Sequence, residues 1–236
     1  MIFDVHNHIG FRRGEYASVE ELLRLMDKNH IDKAVVFTQC ETPDNKYVAR
    51  SVEKYRDRLV GFAYLDPWRF DTEEELSRCI TEYGFMGVKL NPTKQAFALD
   101  RHSLVDQIFE ICGKKGFPIL SHGASDLFSM PSKFGTMARL FPHVNLIMAH
   151  MGLPDAFDTA LRLVKENKNL YVDIAGVHPR AIKRAVDEVG AEKILMGTDS
   201  PWGLYELSLI GINEATDDPK NREMIMSGNI KRILKL

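Results

Sequence analysis

A closed (β/α)8 barrel is the fold this chain predicts, and three observations point to it. Eight short, β-branched apolar runs alternate along the whole chain with longer stretches of helical periodicity, the signature of parallel strands joined by crossover helices. The length, 236 residues, is close to the usual ~250 of such barrels. No glycine-rich phosphate turn of the GxGxxG or GxxxxGK kind follows the first strand, as an open, doubly wound nucleotide-binding sheet would more often need.

The elements follow in order. Residues 2–5 make the first strand; Ser18 then caps a helix, with Glu21 completing a capping box ahead of Leu22, Leu23, Leu25 and Met26. Residues 34–38 are the second strand, followed by a polar helix around 47–55. Residues 59–65 are the third, with Thr72 capping a helix that carries Leu76 and Ile80. The fourth strand spans 86–90 and its helix 103–115; the fifth spans 118–121 and its helix 132–140; the sixth spans 144–149 and its helix 155–167. Strand seven spans 170–175, with a helix opening at Pro179, where proline suits the first turn. Strand eight spans 193–197, and helical segments close the chain, the last from Asn229. Segments 10–17 and 92–101 read as loops of moderate length, so the pocket is expected to be shallow, with at most a small lid. No linker or internal repeat interrupts the pattern, and residues 1–236 are expected to form one catalytic domain.

Composition narrows the class. Hydrophobic residues make up 44% and charged residues 27%, enough to bury a large core. The formal net charge of −2 and the shortness of the basic runs (Lys114-Lys115, Lys183-Arg184, Lys231-Arg232) argue against a nucleic-acid surface. Three scattered cysteines without CxxC spacing, no basic and apolar leader, and no apolar run near ~20 residues lead to the expectation of a cytoplasmic protein outside the membrane.

Barrel active sites are built at the C-terminal ends of the strands. The residues ending these strands are His6-Asn7-His8, Lys89-Leu90-Asn91, His122, His150 and Asp199, all metal-ligand or acid–base types. Along a strand, positions i and i+2 face the same way, so His6 and His8 can reach one ion. Alone that pair is a weak signal; followed by three more ligand types at one rim, it predicts a divalent metal.

The motifs Phe3-Asp4-Val5-His6-Asn7-His8, Gly87-Val88-Lys89-Leu90, Leu120-Ser121-His122-Gly123, Met148-Ala149-His150-Met151-Gly152 and Met196-Gly197-Thr198-Asp199-Ser200-Pro201-Trp202 resemble the amidohydrolase superfamily, in order and across essentially the whole chain. The likeness is nearest to the amidohydrolase-related branch that includes aminocarboxymuconate-semialdehyde decarboxylase. Position by position, the resemblance implies that His6, His8, His122 and Asp199 hold one metal, zinc being the first expectation. It implies Asp199 and His150 as the groups that handle the proton. Lys89 is expected inside the barrel, either unmodified and facing a substrate carboxylate, or carboxylated and bridging a second metal. Arg12, Arg13, Asn91 and Trp202 are candidate substrate contacts, with His178 behind them; Asp66-Pro67-Trp68 reads as turn chemistry, and His30, His102 and His143 as solvent-facing.

Two reactions suit this pattern. Hydrolysis of an amide, lactone or ester in a small anionic substrate is the first expectation; non-oxidative decarboxylation on the same scaffold is the alternative. A nuclease or phosphoesterase of the TatD or PHP kind is more remote, because Lys89 stands where the TatD pattern has glutamate and Asp199 lacks the PHP Asp-x-His partner. A non-catalytic barrel predicts missing ligands, and none is missing. A small-molecule partner is expected, and a homodimer, common in the family, is carried as an expectation with no residue pattern behind it.

Overall fold

The computed structural model describes residues 1–12, 14–39 and 43–236, and the backbone alone of Arg12. Among the described residues there are ten strands, nine of which supply the eight staves of a barrel. β1 (Phe3–Arg12) is the first stave, and β2 (Glu15–Ala17) is a short antiparallel partner folded back on its end. β3 (Lys33–Thr38) is the second stave. β4 (Leu59–Gly61) and β5 (Ala63–Tyr64) form the third, interrupted at Phe62, so that β4 pairs with β3 and β5 pairs with the next strand. β6 (Val88–Leu90), β7 (Ile119–Ser121), β8 (Leu146–Met148), β9 (Leu170–Asp173) and β10 (Ile194–Leu195) complete the ring, each parallel to its neighbour. The ring closes on β1 through Val5 N–H donating to Met196 O (2.9 Å) and His8 N–H to Ser200 O (2.8 Å).

The crossover helices are α1 (Val19–Lys28), α2 (Asn45–Lys54), α3 (Thr72–Thr81), a short α4 (Pro92–Gln95) with α5 (His102–Lys115), α6 (Pro131–Leu140), α7 (Phe157–Glu166) and α8 (Pro179–Val189). α9 (Tyr205–Ala215), α10 (Pro219–Glu223) and α11 (Asn229–Leu234) end the chain. Among the described residues no helix is long and apolar enough to cross a membrane.

Two cores result from strand alternation. Ala34 and Val36 face outward to the helices, while Val35 and Phe37 face the barrel interior with Phe3, Val5, Phe62, Leu120, Ile147 and Tyr171. Ile230, Ile233 and Leu234 of α11 plug the lower end of that interior. Lys89 is in register with Leu120 on one side and Tyr64 on the other, which sets its side chain at the same interior level.

Several local expectations are revised. Segment 10–17 is no loop: β1 runs on to Arg12 and pairs back through Phe11↔Tyr16, with Gly10 (φ +102°) and Gly14 (φ +89°) taking left-handed geometry. Within 92–101, Asn91 accepts from Lys94 N–H (3.1 Å) and so caps α4. Ser18 does accept from Glu21 N–H (3.1 Å), but the Glu21 carboxylate pairs with Arg24. Thr72 lies inside α3 and donates to the Asp66 and Arg69 carbonyls, leaving Asp71 at the cap.

Candidate metal centre

Both β1 histidines enter the barrel because β1 breaks its own alternation. Phe3 and Val5 face inward below; strict alternation would then turn Asn7 inward and both histidines out. The register of β1 on β3 shifts between Asp4 and Asn7, and past that irregularity Ile9 packs outward. Asn7 donates to Val35 O (3.1 Å) and accepts from the Tyr205 hydroxyl (3.0 Å), holding β1 to β3 and α9. The buried Asp4 carboxylate accepts from His6 N–H (3.0 Å), Thr198 N–H (3.1 Å) and the Thr198 hydroxyl (2.6 Å), tying the bend to the segment that carries Asp199. Burial pushes the Asp4 carboxyl up to about 7 against the lowering effect of Thr198.

His6, His8 and Asp199 form one cluster whose ligand atoms all lie within 4.8 Å of one another. The Asp199 Oδ1 is 3.2 Å from His6 Nε2 and 3.4 Å from His8 Nε2. The far side of each ring is anchored. His6 Nδ1 faces Asp173 Oδ2 at 2.7 Å, and His8 Nδ1 faces Thr38 O at 3.2 Å, so each ring donates through Nδ1 and offers Nε2 inward. His150 follows the same rule, with Nδ1 at 2.9 Å from Ala175 O. Asp173 also accepts from the His150 and Ala175 amides (2.9 and 3.1 Å), so one carboxylate serves two histidines from different staves.

Protonation suits ligation. Burial lowers His8 to about 4, which leaves a neutral imidazole at pH 7. Burial and the neighbouring His150 lower His122 to about 3, and burial with His6 lowers His150. Burial alone would raise Asp173 and Asp199; the His6 charge and hydrogen bonds override it, holding Asp173 at about 2 and Asp199 far below the usual carboxylate range. For His6, burial and Lys89 act downward, but Asp173 and Asp199 outweigh them and raise its value. A pair of neutralisable imidazoles and a fixed anion around one point is a donor set that fits a divalent cation.

The remaining expected residues share the cavity, about 120 Å³, with this cluster: Lys89, Asn91, His122, His150 and Trp202, together with Gln39 and Lys94. Lys89 Nζ lies 3.1 Å from His6 Nε2 and 4.7 Å above the Phe37 ring. His122 sits across the cavity, its ring 4.9 Å from that of His150 and its Nε2 3.9 Å from Asp126 Oδ2; it is outside the three-residue cluster. The Trp202 ring walls the mouth 5.0 Å from His8. His150 and Asp199 both hold left-handed backbone (φ +62°), a conformation that costs energy in a non-glycine residue and that the surrounding structure must hold in place.

Arg13 and the Arg12 side chain lie outside the described residues. His178 is not among the residues lining that cavity; it caps α8, accepting from Arg180 N–H at 3.2 Å. His30, His102 and His143 are exposed, as expected. Sequence reasoning passed over Asp173, because the apolar run 170–175 reads straight through it, and Gln39, one residue past the end of β3. The strand-end rule that found the histidines reaches Asp173 once that strand ends there; β3 ends at Thr38 as expected, and the amide just past it carries no ligand or acid–base signal.

Comparison with known proteins identifies the family and the fold. A family model described as Amidohydrolase matches residues 4–236. The 2-amino-3-carboxymuconate-6-semialdehyde decarboxylase of Dictyostelium discoideum is 26% identical over 239 aligned residues, covering 81% of this chain; the chain spans 65% of that relative's length. The 2,6-dihydroxybenzoate decarboxylase from Rhizobium superposes with a TM-score of 0.76 at 19% identity, covering 99% of this chain and 98% of its own. An uncharacterised TIM-barrel protein from Bordetella bronchiseptica gives 0.84 at 16% identity over 99% and 98%. A dihydroxybenzoic acid decarboxylase from a Polaromonas species, with bound manganese, gives 0.77 at 18% over 100% and 97%. With the family model spanning nearly the whole sequence and the barrel shared with these structures, this chain is an enzyme of the amidohydrolase family with the (β/α)8 fold.

Proposed function

We propose that the chain is a divalent-metal-dependent, non-oxidative decarboxylase of a small carboxylate, working as one catalytic domain. The observation that carries this reading is the pairing of the His6–His8–Asp199 cluster with two lysines, Lys89 and Lys94, lining one small cavity. Cations at that mouth suit an anionic substrate. The names of the Dictyostelium relative and of the dihydroxybenzoate decarboxylases weigh in the same direction. Hydrolysis, the first expectation from sequence, uses the same donors and stands second.

His6, His8 and Asp199 would hold the ion, with His122 as fourth donor from across the cavity. Zinc is the first expectation, manganese the next. A divalent ion there supplies Lewis-acid polarisation of a substrate oxygen. In the reaction the bond between carbon and carboxylate breaks, its electron pair stays on the carbon, carbon dioxide leaves, and one proton is placed on that carbon. His150, with the anionic Asp199 beside it in the same cavity, would handle that proton. Lys89, unmodified, faces the substrate carboxylate beside His6. Trp202 and Asn91 contact the substrate at the mouth, and the protein acts in the cytoplasm, as a homodimer.

The test is carbon dioxide release from 2,6-dihydroxybenzoate and from 2-amino-3-carboxymuconate-6-semialdehyde by protein loaded with zinc or manganese. Release that disappears in His150→Asn and Asp199→Asn supports the reading. Turnover of lactones and amides without release from either acid would move hydrolysis to first place.

A further inference from the structure

Gln39 follows the end of β3, is 1% exposed, and lines the same cavity as His6, His8 and Lys89. Its amide nitrogen is buried and has no hydrogen-bond partner among the described residues. A buried donor left unmade carries the full cost of its lost water, and native proteins keep few of them. Gln39 shares its cavity with Lys89, Lys94, Asn91, four histidines and the Asp199 carboxylate, whose Oδ1 faces His6 and His8.

Its place in the barrel decides what it meets. β3 is the second stave and β8, which leads into His150, is the sixth; in a ring of eight these face each other across the mouth. A ligand that fills this cavity with its carboxylate at Lys89, on the fourth stave, therefore meets Gln39 through another of its groups. The cavity of about 120 Å³ is close to the ~150 Å³ that accepts one benzene ring.

We infer that Gln39 is a substrate-specificity residue: its amide donates to a second oxygen, hydroxyl or carbonyl, that the carboxylate substrate carries besides the reacting carboxylate. This rests on the decarboxylase reading, since it takes the carboxylate-bearing ligand from there. It adds that a plain monofunctional acid is a poor ligand, because it leaves the Gln39 amide unmatched.

The experiment compares wild type with Gln39→Met, nearly isosteric and without the donor, and with Gln39→Glu as a second variant. Each manganese-loaded full chain is titrated calorimetrically with 2,6-dihydroxybenzoate and with benzoate, and unfolded thermally without ligand. The inference expects Gln39→Met to weaken dihydroxybenzoate about 10-fold and benzoate less than about 2-fold. It expects Gln39→Glu to weaken dihydroxybenzoate further. It also expects the Tm of Gln39→Met to equal or exceed that of wild type, since no protein hydrogen bond is lost. Equal losses on both acids, no loss on either, or a Tm lowered by several degrees would overturn the role of Gln39 alone. Failure of both acids to bind wild type would overturn the carboxylate reading and this inference with it.

Discussion

Asp173 accepts hydrogen bonds from the His6 ring, the His150 amide and the Ala175 amide, and none of these partners can move without breaking one of them. A ligand histidine is only as well aimed as the group behind it. Asp173→Asn keeps the shape and removes the charge, so divalent-metal affinity should fall about 10- to 100-fold in a competition titration. The same carboxylate sets an acid dependence. Its value in the fold, about 2, lies below the ordinary ~3.9, so its stabilisation is complete above about pH 4 and is lost as pH falls from there towards 2. The size is on the order of 2 kcal/mol. In urea unfolding of the metal-free proteins between pH 5 and 2, wild type should lose that much more than Asp173→Asn; parallel losses would contradict the assignment. At this scale the sequence announced the histidines and Asp199, because polar residues closing apolar runs stand out. It concealed Asp173 and Gln39, because burial there is bought by contacts from other staves that no local pattern contains.

Elements decide which side chains the site receives. The irregularity in β1 lets Val5 fill the barrel while His6 and His8, one step later, still face in. Period-two reasoning predicted that the two histidines share a face, but not that the strand must change register for that face to be the inner one. Strand order and helix order were legible throughout, since hydrophobic alternation records them; the β1–β2 hairpin was not, because Gly10 and Gly14 read as loop signals. The turn after β10 is as constrained as β1. A Cβ on Gly203 would sit 1.7 Å from the Thr198 carbonyl oxygen, which is backbone and cannot turn aside. Gly203→Ala should therefore displace the Asp199 segment, lowering Tm by several degrees and metal content together, checked by calorimetry and elemental analysis on one preparation. Intact metal content in a normally stable variant would show the turn to be looser than described.

Across the whole molecule, the barrel is stoppered at the end opposite the metal cluster. Ile230, Ile233 and Leu234 enter the interior core from α11, and Asn229 fixes that helix by donating to the Ala191 and Ile194 carbonyls at 2.8 Å each. Ile233→Ala should cost about 2–4 kcal/mol in denaturant unfolding and leave metal stoichiometry unchanged, because stopper and site sit at opposite ends of one rigid ring. Thiol chemistry offers a second global check. Burial raises both Cys79 and Cys112, the latter to about 12, so both should stay unlabelled by a thiol reagent at pH 8 until the chain unfolds, as read by peptide mapping.

The central claim is that one ion organises this rim, and metal content per chain tests it most directly. The measurement is elemental analysis of protein purified without chelator, for wild type, His6→Ala and Asp199→Asn. The account predicts about one equivalent of a divalent metal in wild type and its loss in both variants. About two equivalents would bring Lys89 into the metal shell as a bridge. A wild-type protein that carries no metal and takes up none on titration would contradict the account.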